Sequence, residues 1–322
     1  MNRYQRQQML PEIGEAGQQR LRAARVLVVG AGGLGSTLLP LLAGAGVGYL
    51  RIWDADQVAL HNLHRQTLYT EEDVGQPKAV CAARALAARN RDCVTEARQQ
   101  ALRASTVEQA LLQVDLAIDA ADSFAVTYTL SDACRPRNIP LISASVLGRQ
   151  GYVGGFCGGA PGYRALFPRL PASAGSCDTA GVMGPAVATL GAMQAQMALS
   201  VLLGHSPSPL GSVINCDFSQ WHFRAFRFDD AQEPTQPAIP FIDRELLRAD
   251  DCIVELRSLA EAPHSVAAQV DRLLPDAIAA WQPPADRRVV LVCASGIRAA
   301  KAAAALAQRG VERLAIIAAN QL

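Results

Sequence analysis

The strand–turn–helix pattern around Gly30 limits the possible fold more than any other part of this sequence. The apolar run that ends there predicts a buried strand at Leu27–Gly30. A glycine-rich turn and an apolar helix follow, in the order of a phosphate-binding fingerprint. Such glycines let the backbone turn tightly, approach a phosphate and bring the helix close to the sheet. The glycines of this predicted phosphate turn are Gly30, Gly32, Gly33 and Gly35.

A second predicted strand, Tyr49–Trp53, ends at Asp54, and Asp56 follows two residues later. An acidic side chain about 20 residues beyond such a turn can bond a ribose hydroxyl. To this point the unit is equally typical of an NAD-dependent oxidoreductase, and that alternative stays open.

Polar and cationic residues follow the second strand and open the next helix. Asn62, Arg65 and Gln66 come first, and Lys78 stands directly after Gly75-Gln76-Pro77. A guanidinium and an ammonium that converge on one crevice suit a triphosphate better than a neutral nicotinamide. Taken singly, Arg65 is also compatible with a solvated loop arginine and Lys78 with a surface lysine of a first helical turn.

Five motifs occur in the order seen in ThiF/MoeB-type activating enzymes, the bacterial relatives of ubiquitin-activating enzymes. The opening Arg3-Tyr4-Gln5-Arg6-Gln7 also looks like that family, so the resemblance covers roughly residues 3–228. It implies that ATP is a substrate, and that the C-terminal Gly-Gly carboxylate of a small ubiquitin-like carrier protein attacks the α-phosphate. The motifs are Asp54-x-Asp56, Asn62-Leu63-His64-Arg65-Gln66, Gly75-Gln76-Pro77-Lys78, Asp119-x-x-Asp122 and Cys177-Asp178-Thr179-Ala180-Gly181-Val182-Met183-Gly184-Pro185.

The resemblance also implies roles for single residues. Asp122 would hold magnesium, while Arg65 and Lys78 would hold the phosphates and the departing pyrophosphate. Arg6 would reach into the neighbouring protomer's site, so activity would require a homodimer, and Cys177 would receive or attack the activated carrier terminus. The residues alone leave other interpretations open: a helix N-cap for Asp122, a flexible terminal arginine for Arg6 and an unreactive thiol for Cys177.

Cysteine usage argues against a disulfide framework and against a structural zinc. The eight cysteines are scattered, and no Cys-x-x-Cys pair occurs. The resembling enzymes commonly carry two such pairs, which would fall on Gly162–Ala165 and after Phe228. We therefore expect no zinc. We also expect a reducing cytoplasm, because Met1–Gln8 lacks the apolar core of a signal peptide.

The C-terminal part carries a second motif, Cys293-Ala294-Ser295-Gly296-Ile297-Arg298, after an apolar strand. It resembles the rhodanese active-site loop Cys-x-x-Gly-x-Arg. N–H groups at a strand–helix junction and a nearby arginine stabilise a thiolate or persulfide on Cys293. A cysteine that merely ends a core strand is the alternative. Glu255-Leu256-Arg257 stands where rhodaneses usually show Asp-Val-Arg, and the domain looks short.

The whole pattern predicts an α/β fold with a doubly wound, mostly parallel sheet, followed by a small rhodanese-like α/β domain. We expect an adenylyltransferase domain at 1–228, a linker at 229–240 and the rhodanese-like domain at 241–322. Predicted helices are Ser36–Ala45, Pro77–Asn90 and Phe124–Arg137. Further predicted strands are Leu116–Asp119, Pro140–Ser143, Gly151–Cys157, Ser212–Asp217 and His222–Phe228.

Net charge and hydropathy give only limited evidence about nucleic-acid and membrane binding. A net charge of +1 gives no electrostatic reason to expect nucleic acid or an anionic membrane. The apolar segment Ala186–Leu203 is long enough to span a bilayer, yet we interpret it as a buried core or subunit-interface helix.

The resulting hypothesis is an ATP-dependent adenylyltransferase for a sulfur-carrier protein, with sulfur transfer to a thiocarboxylate and a cysteine desulfurase as a candidate persulfide donor. Two alternatives remain: an NAD-dependent oxidoreductase and a non-catalytic module that binds a carrier. The replaced neighbours of Asp122, Ala121 and Ser123, and the missing zinc ligands favour the second alternative.

Overall fold

The computed structural model describes residues 2–171 and 181–321, and these residues form two β-sheets flanked by helices. The larger sheet contains β1 Arg25–Val29, β2 Tyr49–Trp53, β3 Val94–Arg98, β4 Leu116–Asp119, β5 Pro140–Leu147, β6 Gln150–Cys157, β7 Ser212–Asp217 and β8 His222–Arg227. The smaller sheet contains β9 Cys252–Glu255, β10 Asp271–Arg272, β11 Val289–Cys293 and β12 Leu314–Ala318. The described helices are α1 Gln5–Gln8, α2 Gly14–Ala23, α3 Gly33–Ala45, α4 Lys78–Arg89, α5 Val107–Ala110, α6 Phe124–Cys134, α7 Tyr163–Leu166, α8 Gly184–Leu203 and α9 Ile297–Gln308.

The order of strands in the larger sheet creates a crevice between β1 and β4. The sheet runs β3-β2-β1-β4-β5-β6-β7-β8; its first five strands are parallel, and β6, β7 and β8 add antiparallel pairs. The chain winds outward from β1 to β3 and then returns to β4 on the other side of β1. In open sheets of this kind, ligands bind beyond the carboxyl ends of the strands at such a reversal. The predicted mostly parallel fold class is confirmed.

The long helix α8 packs along α3, on one face of the larger sheet. A Cβ built on Gly191 would lie 2.7 Å from the backbone oxygen of Leu34, so only glycine permits this approach of the two helices. By length and composition α8 could cross a membrane, but half of its most apolar window is buried inside the protein. That packing is typical of a core helix.

The smaller sheet is parallel, in the order β10-β9-β11-β12. It is joined to the larger unit through Phe241, which forms a parallel bridge with Ile316 and lies 6.1 Å, centroid to centroid, from the ring of Tyr128. One cluster of buried side chains runs from the larger sheet into the smaller one. Asp243 adds a polar contact, since the backbone N–H and hydroxyl of Ser105 donate to it at 2.8 and 2.6 Å.

Several predicted element bounds need correction. Gly30 lies beyond β1 rather than in it, α3 begins at Gly33 rather than Ser36, and the α-helical part of Phe124–Arg137 ends at Cys134 and continues as a 3-10 turn. The helix predicted at Pro77–Asn90 spans Lys78–Arg89, and Pro77 and Asn90 are its two cap residues. β3 is an edge strand that the sequence analysis did not predict.

The segment where the resembling enzymes carry the first zinc pair is held by other contacts. Tyr163 is buried, and its ring lies 5.2 Å from that of Tyr128. Arg164 forms a two-point ion pair with Asp132 at 2.7 and 2.8 Å. Glu233 then joins the linker to this segment, because it accepts hydrogen bonds from Gly162 N at 2.6 Å and Arg135 Nε at 2.7 Å. The absence of zinc stays a prediction, but these contacts account for the local structure without one.

Glu233→Ala is expected to lower the free energy of unfolding by about 1–3 kcal/mol, because it leaves the Gly162 N–H without its charged acceptor. Urea unfolding followed by tryptophan fluorescence measures the change. Glu233→Gln keeps an acceptor and should lose less, and the exposed Glu12→Ala serves as control. Equal stability of Glu233→Ala and the wild type would contradict this role.

Candidate functional site

The phosphate turn is built by close backbone contacts that only glycine allows. Gly30 has φ +98°, and a Cβ there would lie 2.5 Å from the backbone oxygen of Ala120, just beyond β4. A Cβ on Gly35 would lie 2.2 Å from Gly30 O. The turn is therefore clamped between β4 and the start of α3, and no described side chain caps the N-terminus of α3 at Gly32. Its first N–H groups are available to an anion.

Asp54 fixes the turn from the end of β2. One carboxylate oxygen accepts a hydrogen bond from Ala31 N at 2.7 Å, and the other accepts from Asp56 N at 2.8 Å. Burial raises the pKa of Asp54, and these hydrogen bonds oppose that rise. The side chain predicted to bind a ribose thus also locks the glycine turn.

Lys78 is a buried cation beside this turn. It is 4% exposed, and its Nζ pairs with Asp56 Oδ2 at 2.8 Å, whereas the Asp56 side chain is 71% exposed. Tyr69 connects Lys78 with the turn, because its hydroxyl donates to Ala31 O at 2.6 Å and lies 3.4 Å from Lys78 O. A surface lysine is therefore the wrong interpretation, and the ammonium keeps donors beyond its single pair.

Arg65 lies against the beginnings of α3 and α8. Its Cγ is 3.8 Å from the position of a Cβ on Gly33, and its Nη2 donates to Asn62 Oδ1 at 2.8 Å. His64 lies 2.8 Å from its other terminal nitrogen. Gln66 is 3% exposed, and its Oε1 is buried without a hydrogen-bond partner among the described residues. Such an orphan acceptor next to a phosphate turn calls for a donor from a ligand.

The opposite side of the crevice is the loop between β4 and α6. Asp119 is fully buried; Thr127 Oγ1 and Ser143 Oγ donate to it at 2.6 and 2.9 Å, and Ala121 N at 3.2 Å. Asp122 is exposed and makes no hydrogen bond or ion pair with another described residue. Asp119 therefore holds the loop, and Asp122 presents a free carboxylate.

The helix N-cap alternative for Asp122 is wrong. Ser123 is the N-cap residue of α6, and no described side chain caps that helix.

These features fit ATP and magnesium. The uncapped N-terminus of α3, Lys78 and Arg65 offer cationic and N–H donors to phosphates, and the orphan Gln66 oxygen can accept from a ribose or amino group. Magnesium is usually held by one or two carboxylates together with phosphates and water, so Asp122 alone fits as its protein ligand. Across the described ranges, no group of three or more His, Cys, Asp or Glu side chains forms an all-protein metal site.

Three predicted site residues do not join this crevice. Arg6 is exposed on α1, next to Tyr4, which packs against Gly46 at the far end of α3. That helix is about 20 Å long, so Arg6 cannot reach its own phosphate turn. Cys177 lies outside the described residues. Cys293 belongs to the smaller sheet.

Cys293 ends β11 directly before a tight loop. It is 1% exposed, and Ala299 N donates to its sulfur at 3.3 Å. Gly296 opens α9 with φ +86°, and a Cβ there would lie 2.6 Å from the Phe241 ring. Glu261 and, to a smaller extent, the Cys293 sulfur raise the pKa of Arg298, so this guanidinium lies close to the sulfur.

Most other described cysteines are poor nucleophiles. Burial raises the pKa of Cys93 to about 11 and that of Cys157 to about 12, and it raises the pKa of Cys134 still further. They are thiols at neutral pH, and the thiolate is the reactive form. Cys157 is a buried residue at the end of β6.

The residues that sequence reasoning missed are those that position the others. Tyr69, Thr127 and Ser143 hold the turn and the Asp119 loop through contacts distant in sequence. Gln194 of α8 donates to Asp119 O at 2.7 Å. A glutamine inside a long apolar helix was the one available signal, since a buried amide needs partners.

Comparison with known proteins points to one family. A model of the ThiF family matches residues 4–238. The chain is 40% identical over 232 residues to the sulfur carrier protein adenylyltransferase of Thermus thermophilus, covering 70% of this chain and 86% of the relative. It is 35% identical over 243 residues to the SAMP-activating enzyme E1 of Haloferax volcanii, covering 75% and 85%.

A further relative is longer than the matched region. The adenylyltransferase and sulfurtransferase MOCS3 of Bos taurus is 42% identical over 232 residues, which is 70% of this chain but 50% of that protein. The chain thus spans about half the length of MOCS3. The ThiF match ends at residue 238, before the smaller sheet.

Solved structures agree in fold. The crystal structure of E. coli MccB with MccA-N7isoASN superposes with a TM-score of 0.66 at 22% identity, covering 74% of this chain and 75% of MccB. E. coli MccB with ATP gives a TM-score of 0.60 at 22% identity and covers 74% of both chains.

Asp119→Asn is expected to change the pH dependence of stability. Burial raises the pKa of Asp119 from 3.8 to about 6, so the folded state holds this proton more tightly than the unfolded chain. The resulting stabilisation is complete below about pH 4 and is lost as the pH rises through about 6. Between those limits the unfolding free energy of Asp119→Asn should rise relative to wild type by about 3 kcal/mol.

Urea unfolding at a series of pH values measures this difference. Asp230→Asn, which changes an exposed aspartate, is the matched control and should run parallel to the wild type. Parallel profiles for Asp119→Asn as well would rule out the raised pKa.

Proposed function

The chain belongs to the ThiF family, and from that premise we propose that it adenylates the C-terminal carboxylate of a small ubiquitin-like carrier protein with ATP. The carrier ends in Gly-Gly, a terminus slim enough to enter a crevice closed by backbone contacts. The names of the Thermus and Haloferax relatives support a carrier of sulfur or of ubiquitin-like type as substrate.

The chemistry needs no nucleophile from the enzyme. A carboxylate oxygen of the carrier attacks the α-phosphorus of ATP, the bond to the bridging oxygen breaks, and pyrophosphate leaves. The products are an acyl-adenylate and pyrophosphate. The enzyme contributes by aligning two anions and by neutralising the charge that shifts to the leaving group.

The convergence of Lys78 and Arg65 on the uncapped start of α3 is the observation that carries this proposal. Lys78 is buried and so is held in a fixed position, while Asn62 orients the Arg65 guanidinium. We assign both cations to the phosphates and the departing pyrophosphate, and Gln66 to a ribose or amino donor. Asp54 keeps the turn in its phosphate-binding shape.

We assign Asp122 as the carboxylate that would hold magnesium. The ion, when bound, neutralises phosphate oxygens. Asp119 anchors the loop that carries Asp122. The hydroxyls of Thr127 and Ser143 hold the Asp119 carboxylate away from the crevice. Asp122 is exposed and has no hydrogen-bond or ion-pair partner among the described residues, which supports the role.

Two other functions are weaker. An NAD-dependent oxidoreductase would bind NAD and ignore ATP, whereas the paired cations and the family membership favour a triphosphate. A non-catalytic carrier-binding module would bind a carrier without exchange. Titration with ATP, with and without magnesium, and with NAD separates the first alternative, and exchange kinetics separates the second.

We further propose a homodimer in which Arg6 completes the partner's site. Arg6 is too far from its own phosphate turn to act there, yet it is exposed and free of described partners. Leu41 on α3 is 45% exposed, and Leu199 and Leu202 on α8 are half-buried. Apolar residues on two packed helices are suited to an interface between copies.

The smaller sheet would supply sulfur. We propose that it is a rhodanese-like unit whose Cys293 carries a persulfide. The outer sulfur attacks the acyl carbon of the acyl-adenylate, and AMP leaves. A second thiol then attacks the Cys293 sulfur of the resulting acyl disulfide, forms a disulfide with Cys293 and releases the thiocarboxylate. The name of MOCS3, which joins adenylyltransferase and sulfurtransferase, supports this pairing. A cysteine desulfurase is the proposed source of sulfur, and Cys177 stays a predicted acceptor of the activated carrier. Such thiol chemistry suits a reducing cytoplasm.

Asp122→Asn should lower ATP–pyrophosphate exchange by about 100-fold or more, because one neutral amide replaces the only free carboxylate proposed for magnesium. Exchange is measured with radiolabelled pyrophosphate and candidate Gly-Gly carriers. Cys293→Ser should retain full exchange and lose only sulfur loading, and Asp230→Asn should retain both. Normal exchange by Asp122→Asn would refute the assignment.

Mixing inactive variants tests the shared site. Arg6→Ala and Asp122→Asn should each be inactive alone, but an equal mixture that re-equilibrates should regain about a quarter of wild-type exchange, since one site per mixed dimer is intact. Mixing Asp122→Asn with Lys78→Met, which alters the same site, should restore nothing. Restoration in neither mixture, with the dimer intact by ultracentrifugation, would exclude a role for Arg6 across the interface.

A further inference from the structure

The two arginines that interact electrostatically with Cys293, Arg298 and Arg257, are each paired with a carboxylate. Arg298 forms a two-point ion pair with Glu261, with nitrogen–oxygen distances of 2.7 and 3.1 Å. Arg257 forms a second two-point pair with Glu255, both contacts at 2.8 Å, and Glu255 is fully buried. Both of these arginines therefore have their own carboxylate, while Arg272 donates to the backbone oxygens of Arg257 and Ala262.

Glu261 is held in place for this contact. Ser258 N donates to its Oε2 at 3.0 Å, and Glu261 N donates to Ser258 Oγ at 3.2 Å. Arg298 and the Ser258 N–H lower the pKa of Glu261 to about 2, so this carboxylate is ionised at every working pH. The Glu261 side chain is 46% exposed, and the bond from Ser258 N holds its carboxylate in the position that pairs with Arg298.

Pairing of Arg298 and Arg257 with carboxylates distinguishes between sulfur donors by their charge. Thiosulfate arrives with two negative charges and leaves sulfite with two, so its use by Cys293 requires an excess of positive charge. A persulfide on a thiol carries at most one negative charge, and its leaving group is a single thiolate. The paired arginines can donate hydrogen bonds to a persulfide, but they exert little net positive field on thiosulfate.

We propose that Glu261 is a specificity-determining residue: by holding Arg298, it excludes small dianionic sulfur donors and leaves Cys293 to accept sulfur from a persulfide carried on a thiol. This inference rests on the sulfur transfer proposed above. In the accepted reaction, the Cys293 thiolate attacks the outer sulfur of R–S–SH and forms a new S–S bond. The donor S–S bond breaks, R–S⁻ leaves, and the proton stays on the transferred sulfur.

The test compares two donors on the full chain. Thiosulfate is assayed with cyanide by the thiocyanate formed, and a cysteine desulfurase with [³⁵S]cysteine is assayed by label on Cys293. Wild-type protein should accept label readily and use thiosulfate poorly. Glu261→Gln should raise kcat/KM for thiosulfate about tenfold, because Arg298 gains an uncompensated charge, and should change labelling less than about threefold.

Glu312→Gln is the matched control. It removes the same charge from an exposed residue just before β12, at the end of the smaller sheet remote from Cys293, and should leave both assays unchanged. Glu261→Ala should repeat the donor-specific change, which a general loosening of the loop would not produce.

Efficient thiosulfate use by the wild type, or no gain in Glu261→Gln, would overturn the inference while ATP–pyrophosphate exchange and labelling persist. Absence of both label on Cys293 and thiocyanate formation in every variant overturns the proposed sulfur transfer, and this inference with it.

Discussion

The contact between Gly30 and the backbone of Ala120 is the constraint on which the site depends. It closes the carboxyl ends of β1 and β4 to within a distance that excludes any Cβ. Because Gly35 in turn lies on Gly30, the first turn of α3 is brought over the same crevice. One backbone approach therefore sets the relative positions of the phosphate turn and of the loop that ends in Asp122.

Cations are then organised around that closed turn by buried hydrogen bonds rather than by surface attraction. Asp54 and Tyr69 both bond Ala31, one through its N–H and one through its carbonyl, and Tyr69 also reaches Lys78. A buried lysine is costly unless it is paired, and Asp56 supplies the pair from an exposed position. Because the Asp56 carboxylate is exposed, Lys78 can release it and bind a phosphate at low cost. Lys78 is therefore held in a fixed position and is still able to bind a ligand.

How far sequence predicted this arrangement depends on the range of each interaction. β2, β4 and β7 have the predicted bounds because apolar runs and turn residues delimit them locally. β3 was missed because Val94–Arg98 is an exposed edge strand with an alternating polar pattern and no apolar run. The glycines, Lys78 and Asp122 were predicted as site residues from motifs, because residue type and spacing indicate their chemistry.

Partners in the second layer could not be predicted in the same way. The contact of Thr127 with Asp119 spans eight residues and that of Ser143 spans twenty-four, and nothing local marks either hydroxyl. Glu261 lies thirty-seven residues from Arg298 in the sequence. Its ion pair beside the loop of Cys293 can therefore be recognised only once the fold has brought these two turns together.

Phe241 links the proposed ATP site to the loop of Cys293 through rigid packing. It touches the loop of Cys293 at Gly296 and faces Tyr128 of α6, and α6 begins beside Asp122. Since Pro240 O and Ile242 N both bond Ile316, Phe241 is fixed as an added edge of the smaller sheet rather than carried on a free linker. Under the sulfur transfer proposed above, a carrier terminus activated at the larger sheet would travel to a sulfur held at a fixed position, and the moving part would be the carrier's own Gly-Gly end. A glycine tail, with the least restricted backbone of any sequence, is suited to that movement.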